Sequence, residues 1–145
     1  MREILFMGLL LSTSAFASEC QITISSSDQM TYDQKTIAIP KSCEKFEVTL
    51  SHSGKLPKLV MGHNLVIVKK SDLEFVANDA MAAGPDSGYL KASDSRVLAH
   101  TPLIGGGEQG KAILDVKKLN ISEDYVFFCT FPGHRAIMQG EILIK

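Results

Sequence analysis

Hydrophobic and polar residues alternate in short runs along most of this chain, as they do in β-strands that bury one face. The clearest run covers residues 45–52, in which alternate side chains share one face: Phe46, Val48, Leu50 and His52. Similar runs bounded by turn-forming residues predict seven more short strands, over residues 21–24, 36–40, 65–69, 96–100, 111–116, 125–129 and 141–145. Many short strands at such spacing indicate an all-β sandwich or barrel.

Residues 71 to about 90 break this alternation and are rich in Ala, Asp and Met. Ser71 is followed three residues later by Glu74, a capping-box pattern that predicts a helix with Ser71 as its N-cap. The Gly84-Pro85 pair ends any helix by that point, because the residue before a proline disfavours the helical conformation. The sequence therefore predicts a short helical insertion between two strands.

The N-terminus has the order of a secretory signal peptide: a charged start, an apolar run over residues 4–11, and small residues that end in Ala15-Phe16-Ala17. The apolar run is too short to span a bilayer. A buried first strand and a membrane anchor are the alternatives, and the small residues before Ser18 favour cleavage over both. We therefore expect residues 1–17 to be removed and residues 18–145 to form one exported domain.

The formal net charge of the chain is −1, and no run of basic residues occurs. Removal of residues 1–17 takes away one base and one acid, so this balance does not change. Neither a nucleic acid nor a membrane surface is an expected partner, because binding to either relies on clustered positive charge.

Three cysteines remain in the predicted mature chain, an odd number that suggests one disulfide and one thiol with another role. Sequence alone leaves the pairing open. A bridge between Cys20 and Cys43 is favoured, because Cys129 lies in a segment that has a better use for its sulfur. Such a bridge would close a short loop and contribute roughly 3 kcal/mol on the chain-entropy model.

That segment covers residues 129–138 and brings a thiolate, an imidazole and a thioether within ten residues. The Pro132-Gly133 turn lets the chain reverse, so that His134 can face Cys129. Electron-transfer copper sites use two histidines and one cysteine in a trigonal set, with a long, weak contact to a methionine. The segment supplies one histidine, the cysteine and Met138, so the second histidine has to come from elsewhere.

His63 is the best candidate for the second histidine, since it precedes a predicted strand. Gly62 permits an unusual backbone approach, which would let its carbonyl oxygen face the metal opposite Met138. The short polar side chain of Asn64 is placed to hydrogen-bond to the loop that carries Cys129. Bonds of this kind orient metal ligands and tune the metal.

With these residues in view, the sequence resembles the azurins, small blue copper proteins of the bacterial periplasm. The resemblance extends over residues 20–145 and is strongest in VMGHN (residues 60–64) and FFCTFPGH (residues 127–134). It implies an eight-stranded Greek-key sandwich of the cupredoxin type and a Cys20–Cys43 disulfide. It also implies one copper ion and the residues around it: the ligands His63, Cys129 and His134, the weak axial contacts Gly62 and Met138, and the supporting neighbours Asn64, Thr130 and Phe131.

The resemblance further implies a monomeric, periplasmic electron carrier that cycles copper between Cu(I) and Cu(II), and not an enzyme. The implied partners are redox proteins such as c-type cytochromes and copper nitrite reductase. They would dock on an apolar patch around the exposed edge of His134, at Met30, Leu56, Met61, Met81, Phe131, Pro132, Gly133 and Ala136. Two positions depart from the azurin pattern: Arg135 adds a charge at the rim of this patch, and Leu65 stands where azurins often carry a tryptophan.

Other interpretations of these residues stay open at the level of sequence. A copper chaperone or storage protein would also bind copper, although such proteins usually carry exposed clusters of Met and His. Cys129 would also suit a thiol enzyme or an inert buried thiol, and zinc is an alternative metal. His52 is either a satisfied core histidine or a group linked to the copper site, and His100 is expected at the surface.

Overall fold

A computed structural model describes residues 20–145, so the predicted signal peptide at residues 1–17 lies outside the described residues. All eight predicted strands are found, with ends displaced by at most two residues. They are β1 (Gln21–Ser26), β2 (Thr36–Ile39), β3 (Lys45–His52), β4 (Val66–Lys69), β5 (Val97–His100), β6 (Gln109–Asp115), β7 (Tyr125–Phe128) and β8 (Gln139–Ile144).

The strands form two sheets that share one core. The smaller sheet has the order β1-β3-β6, and the larger has the order β2-β8-β7-β4-β5. β1 pairs with β3 and β2 pairs with β8 in parallel, whereas the other strand pairings of residues 20–145 are antiparallel. The prediction of an eight-stranded β-sandwich with a helical insertion is confirmed.

The core between the sheets follows the predicted alternation. In β3 the four side chains expected on the inner face are all buried, and the side chains between them are exposed or half-buried. Leu65, which stands where azurins often carry a tryptophan, is fully buried in this core. Leu65 therefore serves as a core side chain.

Helix α2 (Leu73–Ala83) covers the outer face of the larger sheet, where Leu73, Val76 and Ala77 pack against β4 and β7. β7 is consequently buried at every position, and β4 at all but its last. This double covering explains why both strands are continuous apolar runs without alternation.

The predicted helix start is wrong, although the helical insertion itself is present. A 3₁₀ turn over Lys70–Asp72 leads into α2, and the N-cap residue is Asp72, which makes no side-chain capping bond. Ser71 lies inside this turn and not in the extended conformation of a capping residue. The predicted helix end is confirmed, since α2 stops at Gly84, whose φ is 77°.

Two further short elements were not expected: a single-turn helix, α1 (Lys58–Met61), and a 3₁₀ turn over Val116–Lys118. Another 3₁₀ turn, over Pro85–Ser87, lies within the predicted helical insertion. The Cys20–Cys43 disulfide is confirmed, with Cα atoms 5.6 Å apart, and it joins the start of β1 to the turn before β3. Over residues 20–145 no helix has the length and apolar character needed to cross a membrane.

Candidate metal centre

The antiparallel pairing of β4 with β7 brings the two predicted ligand segments to the same end of the sandwich. Val66, the first residue of β4, lies opposite Phe128, the last residue of β7. His63 therefore precedes one strand at the point where Cys129 follows the other. The remaining predicted ligands lie on the ligand loop (residues 129–138), which connects β7 to β8.

Three donor atoms meet at this end of the fold. The thiol of Cys129 and one ring nitrogen each of His63 and His134 lie within 4.8 Å of one another. The Nδ1 atoms of the two histidines are 3.2 Å apart, and Cys129 Sγ lies 3.8 Å from His134 Nδ1. All three residues are buried; His134 is 3% exposed, so its predicted exposed edge is a narrow one.

His63 is fixed at both its main chain and its ring. Its N–H donates to the Ile104 carbonyl at 2.9 Å, and the Ile104 N–H donates to its carbonyl at 2.8 Å. Its ring Nε2 lies 2.8 Å from the carbonyl oxygen of Ser27. Because a carbonyl only accepts, Nε2 carries the proton, and the lone pair of Nδ1 faces His134 Nδ1.

The ligand loop is closed on itself by main-chain hydrogen bonds. The Cys129 N–H donates to the Met138 carbonyl at 3.0 Å, and the N–H groups of Met138 and Ile137 donate to the His134 carbonyl. Gly133 has a φ of 82°, a conformation that glycine adopts without steric cost. Met138 is fully buried at the end of this loop. The turn predicted at residues 132–133 is thus what returns His134 towards Cys129.

Asn64 links the two ligand segments through its side chain. Its Nδ2 donates to the Thr130 hydroxyl at 2.7 Å, and its Oδ1 accepts from the Thr130 N–H at 2.8 Å. Gly62, on the other side of His63, lies against helix α1: a Cβ added there would be 2.4 Å from the Lys58 carbonyl oxygen. The packing of Gly62 against α1 therefore leaves no room for a side chain at this position.

Burial sets the protonation states of the donor atoms in the metal-free protein. It raises the pKa of the Cys129 thiol to about 11. It lowers the pKa of His134 to about 4, with a further contribution from His63 nearby, and it lowers the pKa of His63 as well. At neutral pH both imidazoles are neutral and ready to bind a cation, whereas the thiol has to release a proton when it becomes a ligand.

The two other histidines occupy different environments. His52 is buried and stacks on the His63 ring, with centroids 4.5 Å apart. Its Nδ1 accepts from the Gly54 N–H, and its Nε2 faces the Met61 carbonyl at 2.9 Å, so both ring nitrogens are satisfied by a neutral ring. His100 is exposed, as expected.

The eight residues predicted to form a docking patch are all at least partly exposed. Leu56, Met81, Pro132, Gly133 and Ala136 are exposed, while Met30, Met61 and Phe131 are half-buried. The sequence prediction omitted Leu59 and Val60, which are 75% and 56% exposed on α1. The apolar run Leu59-Val60-Met61, directly before Gly62 and His63, is the sequence signal that could have identified these two residues. Arg135 is not a free charge, since its guanidinium contacts the Glu74 carboxylate on α2.

The donor set fits copper. One thiol and two imidazoles, buried together, match the trigonal ligands of copper electron-transfer sites, and the lone pair of His63 Nδ1 faces His134 Nδ1 within the group. The sequence could not have identified Ser27 and Ile104, which hold His63 in place, because both act through main-chain atoms.

Comparison with known proteins agrees with this assignment of the metal. Residues 18–145 match the family model of copper binding proteins, plastocyanin/azurin family. Azurin from Bordetella pertussis (strain Tohama I) is 51% identical over 138 residues, which are 94% of this chain and 92% of that protein. Azurin from Pseudomonas fluorescens biotype B is 52% identical over 128 residues, 88% of this chain and 100% of that protein. A solved azurin (Az-iso2) from Methylomonas sp. strain J superposes with a TM-score of 0.83 at 40% identity, over 87% of this chain and 98% of its own.

Proposed function

The chain belongs to the plastocyanin/azurin family of copper-binding proteins, and from that premise we propose that it carries single electrons between redox proteins of the periplasm. The observation that carries this proposal is the buried convergence of His63, Cys129 and His134. These three residues would hold the copper ion, and the Gly62 carbonyl and Met138 would make weaker contacts with it. Copper bound there would supply one-electron chemistry between Cu(I) and Cu(II).

The residues around the ligands suit a site that has to keep one geometry in both oxidation states. Main-chain pairing with Ile104 holds His63, and the Asn64 side chain holds the start of the ligand loop. Cys129 and Met138 are fully buried, which keeps water away from the sulfur ligands. Little of the protein then has to rearrange when an electron arrives or leaves.

The apolar surface next to His134 supports transient docking. Phe131 of the docking patch packs on the His134 ring, with centroids 4.5 Å apart. Pro132, Gly133 and Ala136 lie exposed on the same loop as His134, which is 3% exposed. An electron can pass through this imidazole edge if a partner covers the patch briefly, and small apolar interfaces suit such encounters. The partners expected from the family resemblance are c-type cytochromes and copper nitrite reductase.

Export to the periplasm is supported by the predicted signal peptide and by the Cys20–Cys43 disulfide, since disulfides persist in oxidising compartments. The intact mass of the protein recovered from a periplasmic extract tests this. We expect a chain that begins at Ser18; a chain that keeps residues 1–17, or one found only in the cytoplasm, would contradict it.

The test of the carrier function is the visible spectrum of the mature protein loaded with Cu(II), followed by voltammetry. We expect an intense blue colour from thiolate-to-copper charge transfer and a reversible one-electron wave. Cys129→Ser should abolish the colour. His100→Ala, which removes an exposed histidine outside the site, is the matched control and should leave the colour unchanged. A pale wild-type complex would instead favour a copper chaperone or storage protein.

A thiol enzyme built on Cys129 is not supported by the surroundings of this residue. Its sulfur is buried, and burial raises the pKa of the thiol to about 11, whereas nucleophilic cysteines are exposed and have lowered pKa values. Modification of the metal-free protein by iodoacetamide at pH 7 would therefore be slow. Rapid modification of Cys129 in the folded protein would revive this alternative.

Docking is tested by placing a charge on the patch. Ala136→Lys should slow electron exchange with a reduced c-type cytochrome by about tenfold, since a buried unpaired charge disfavours an apolar interface. Ile121→Lys is the matched control: Ile121 is exposed in the loop before β7, at the end of that strand opposite Cys129. Equal rates for both variants would show that the partner docks elsewhere.

A further inference from the structure

Tyr32 is a buried residue at the metal end of the fold that the proposed function does not use. It is 4% exposed, and its hydroxyl donates a hydrogen bond to the main-chain carbonyl of Asn64. Asn64 follows the ligand His63 directly. The phenol thus reaches the segment that carries one ligand, from a part of the chain that carries none.

The peptide group between Asn64 and Leu65 is held at both ends by side chains. Its carbonyl oxygen accepts from Tyr32, and its N–H donates to the Thr101 hydroxyl at 3.0 Å. This peptide group lies in the chain between His63 and Val66, the first residue of β4. The N–H end is held a second time, because the Thr101 N–H donates to the Leu65 carbonyl. Loss of the Tyr32 hydroxyl would instead release the carbonyl end of this peptide group.

Tyr32 also contacts the strand that leads to the second ligand segment. Its ring packs on Phe127, with centroids 5.6 Å apart, and Phe127 is two residues before Cys129. An antiparallel bridge to Ser26 holds its main chain.

We propose that Tyr32 is a positioning residue of the metal centre, whose hydroxyl fixes the Asn64 carbonyl and so sets the placement of His63 relative to Cys129. This inference rests on the proposed function, because it takes both residues as copper ligands. Asn64 is then anchored at three atoms: its side chain holds Thr130 on the ligand loop with two of them, and Tyr32 holds its carbonyl.

The test compares Tyr32→Phe with Tyr125→Phe. Each substitution removes one buried phenolic hydroxyl and keeps the ring; the Tyr125 hydroxyl accepts from the Asn120 N–H at 2.8 Å, at the end of β7 away from Cys129. In the copper-loaded protein we expect Tyr32→Phe to shift both the charge-transfer band and the reduction potential. Tyr125→Phe should leave both at the wild-type values.

A second readout needs no copper. In the metal-free protein the Thr130 amide, which donates to Asn64 Oδ1, should exchange with deuterium about tenfold faster in Tyr32→Phe than in Tyr125→Phe. If the wild-type protein is not blue, the proposed function fails, and this exchange measurement still tests Tyr32. If the wild type is blue and the two variants match in band, potential and exchange, the role of Tyr32 is refuted.

A measurement on the wild-type chain covers the case in which Tyr32→Phe does not fold. Tyrosine labelled with ¹³C at Cζ reports on each phenol, and Cu(I) is diamagnetic. Addition of Cu(I) should move the Tyr32 resonance and leave that of Tyr125 in place. A Tyr32 resonance that does not move would overturn the inference.

Discussion

His63 and the ligand loop supply the predicted copper ligands from segments that are held in different ways. His63 sits in a main-chain bridge with Ile104, in which each residue donates to the other. The ligand loop is closed by its own hydrogen bonds, and its start is held to the His63 segment by the Asn64 side chain. His63 is thus held by main-chain pairing with another segment, whereas the other predicted ligands lie on a loop with its own hydrogen bonds.

Main-chain bonds therefore hold His63, whereas the start of the ligand loop is held by a side chain. Main-chain pairing needs no particular side chain, so many sequences can hold His63 in place. The loop depends on one amide that satisfies both the N–H and the hydroxyl of Thr130. Over residues 20–145 no buried side-chain nitrogen or oxygen lacks a partner, so removal of that amide would create unsatisfied groups.

The largest effect is expected from Asn64→Leu, which removes both bonds to Thr130. Two buried polar groups lose their partners, and we expect the free energy of unfolding of the metal-free protein to fall by about 3 kcal/mol. Copper affinity should fall as well. Urea unfolding and copper titration measure the two effects. Asn120→Ala, which removes a surface amide bonded to Ser122, is the control; an equal loss in both variants would contradict the special role of Asn64.

A smaller effect is expected from Thr101→Val on the His63 side of the centre. The Thr101 hydroxyl accepts from the Leu65 N–H, and its loss should lower the free energy of unfolding by about 2 kcal/mol. The Thr101 N–H still donates to the Leu65 carbonyl, and the bridge with Ile104 remains. The blue absorption band should therefore stay within a few nanometres of its wild-type position. A band as strongly altered as that of Asn64→Leu would show that the His63 segment is as sensitive to a lost hydrogen bond as the ligand loop is.

The pH dependence of stability tests a contact remote from the ligands. Arg96 forms two hydrogen bonds with the Asp94 carboxylate, which is 4% exposed, and holds its pKa below the ordinary value of 3.8. A lowered carboxylate pKa stabilises the fold above the unfolded pKa, and this contribution is lost as the pH falls through the folded one. Asp94→Asn should lower the free energy of unfolding by about 1 kcal/mol at pH 7.

The difference in the free energy of unfolding between wild type and Asp94→Asn should disappear as the pH falls from about 5 towards 2, since both side chains are then neutral. Denaturant unfolding over that range measures it. The spectrum of the copper-loaded variant at pH 7 should match that of the wild type, because Asp94 and Arg96 precede β5 and contact neither ligand segment. A difference that widens on acidification would contradict the assigned sign.

Sequence reasoning predicted the strands well, because a strand that buries only one face, such as β3, alternates cleanly. It also predicted the three residues whose donor atoms meet, and two of them, Cys129 and His134, were easy to find because they lie close together in the chain. It could not find what lies far apart in sequence and acts through the main chain, such as the bonds from Ile104 and Ser27 to His63. The helix start was misplaced because Ser71 and Glu74 match a capping pattern that a 3₁₀ turn overrides.

The smallest effect is expected from Glu74→Ala, which removes the carboxylate that Arg135 of the ligand loop contacts on α2. Both side chains reach solvent, and exposed ion pairs of this kind contribute under about 0.5 kcal/mol. The loop's own hydrogen bonds and Asn64 remain, so stability and the blue band should hardly change. The released guanidinium would instead present its charge at the rim of the docking patch. Electron exchange with a positively charged cytochrome should then slow at low ionic strength and recover with added salt, as stopped-flow mixing can measure. A salt-independent rate would show that the released charge does not affect docking. A marked shift of the blue band would show that this surface pair helps to hold the ligand loop.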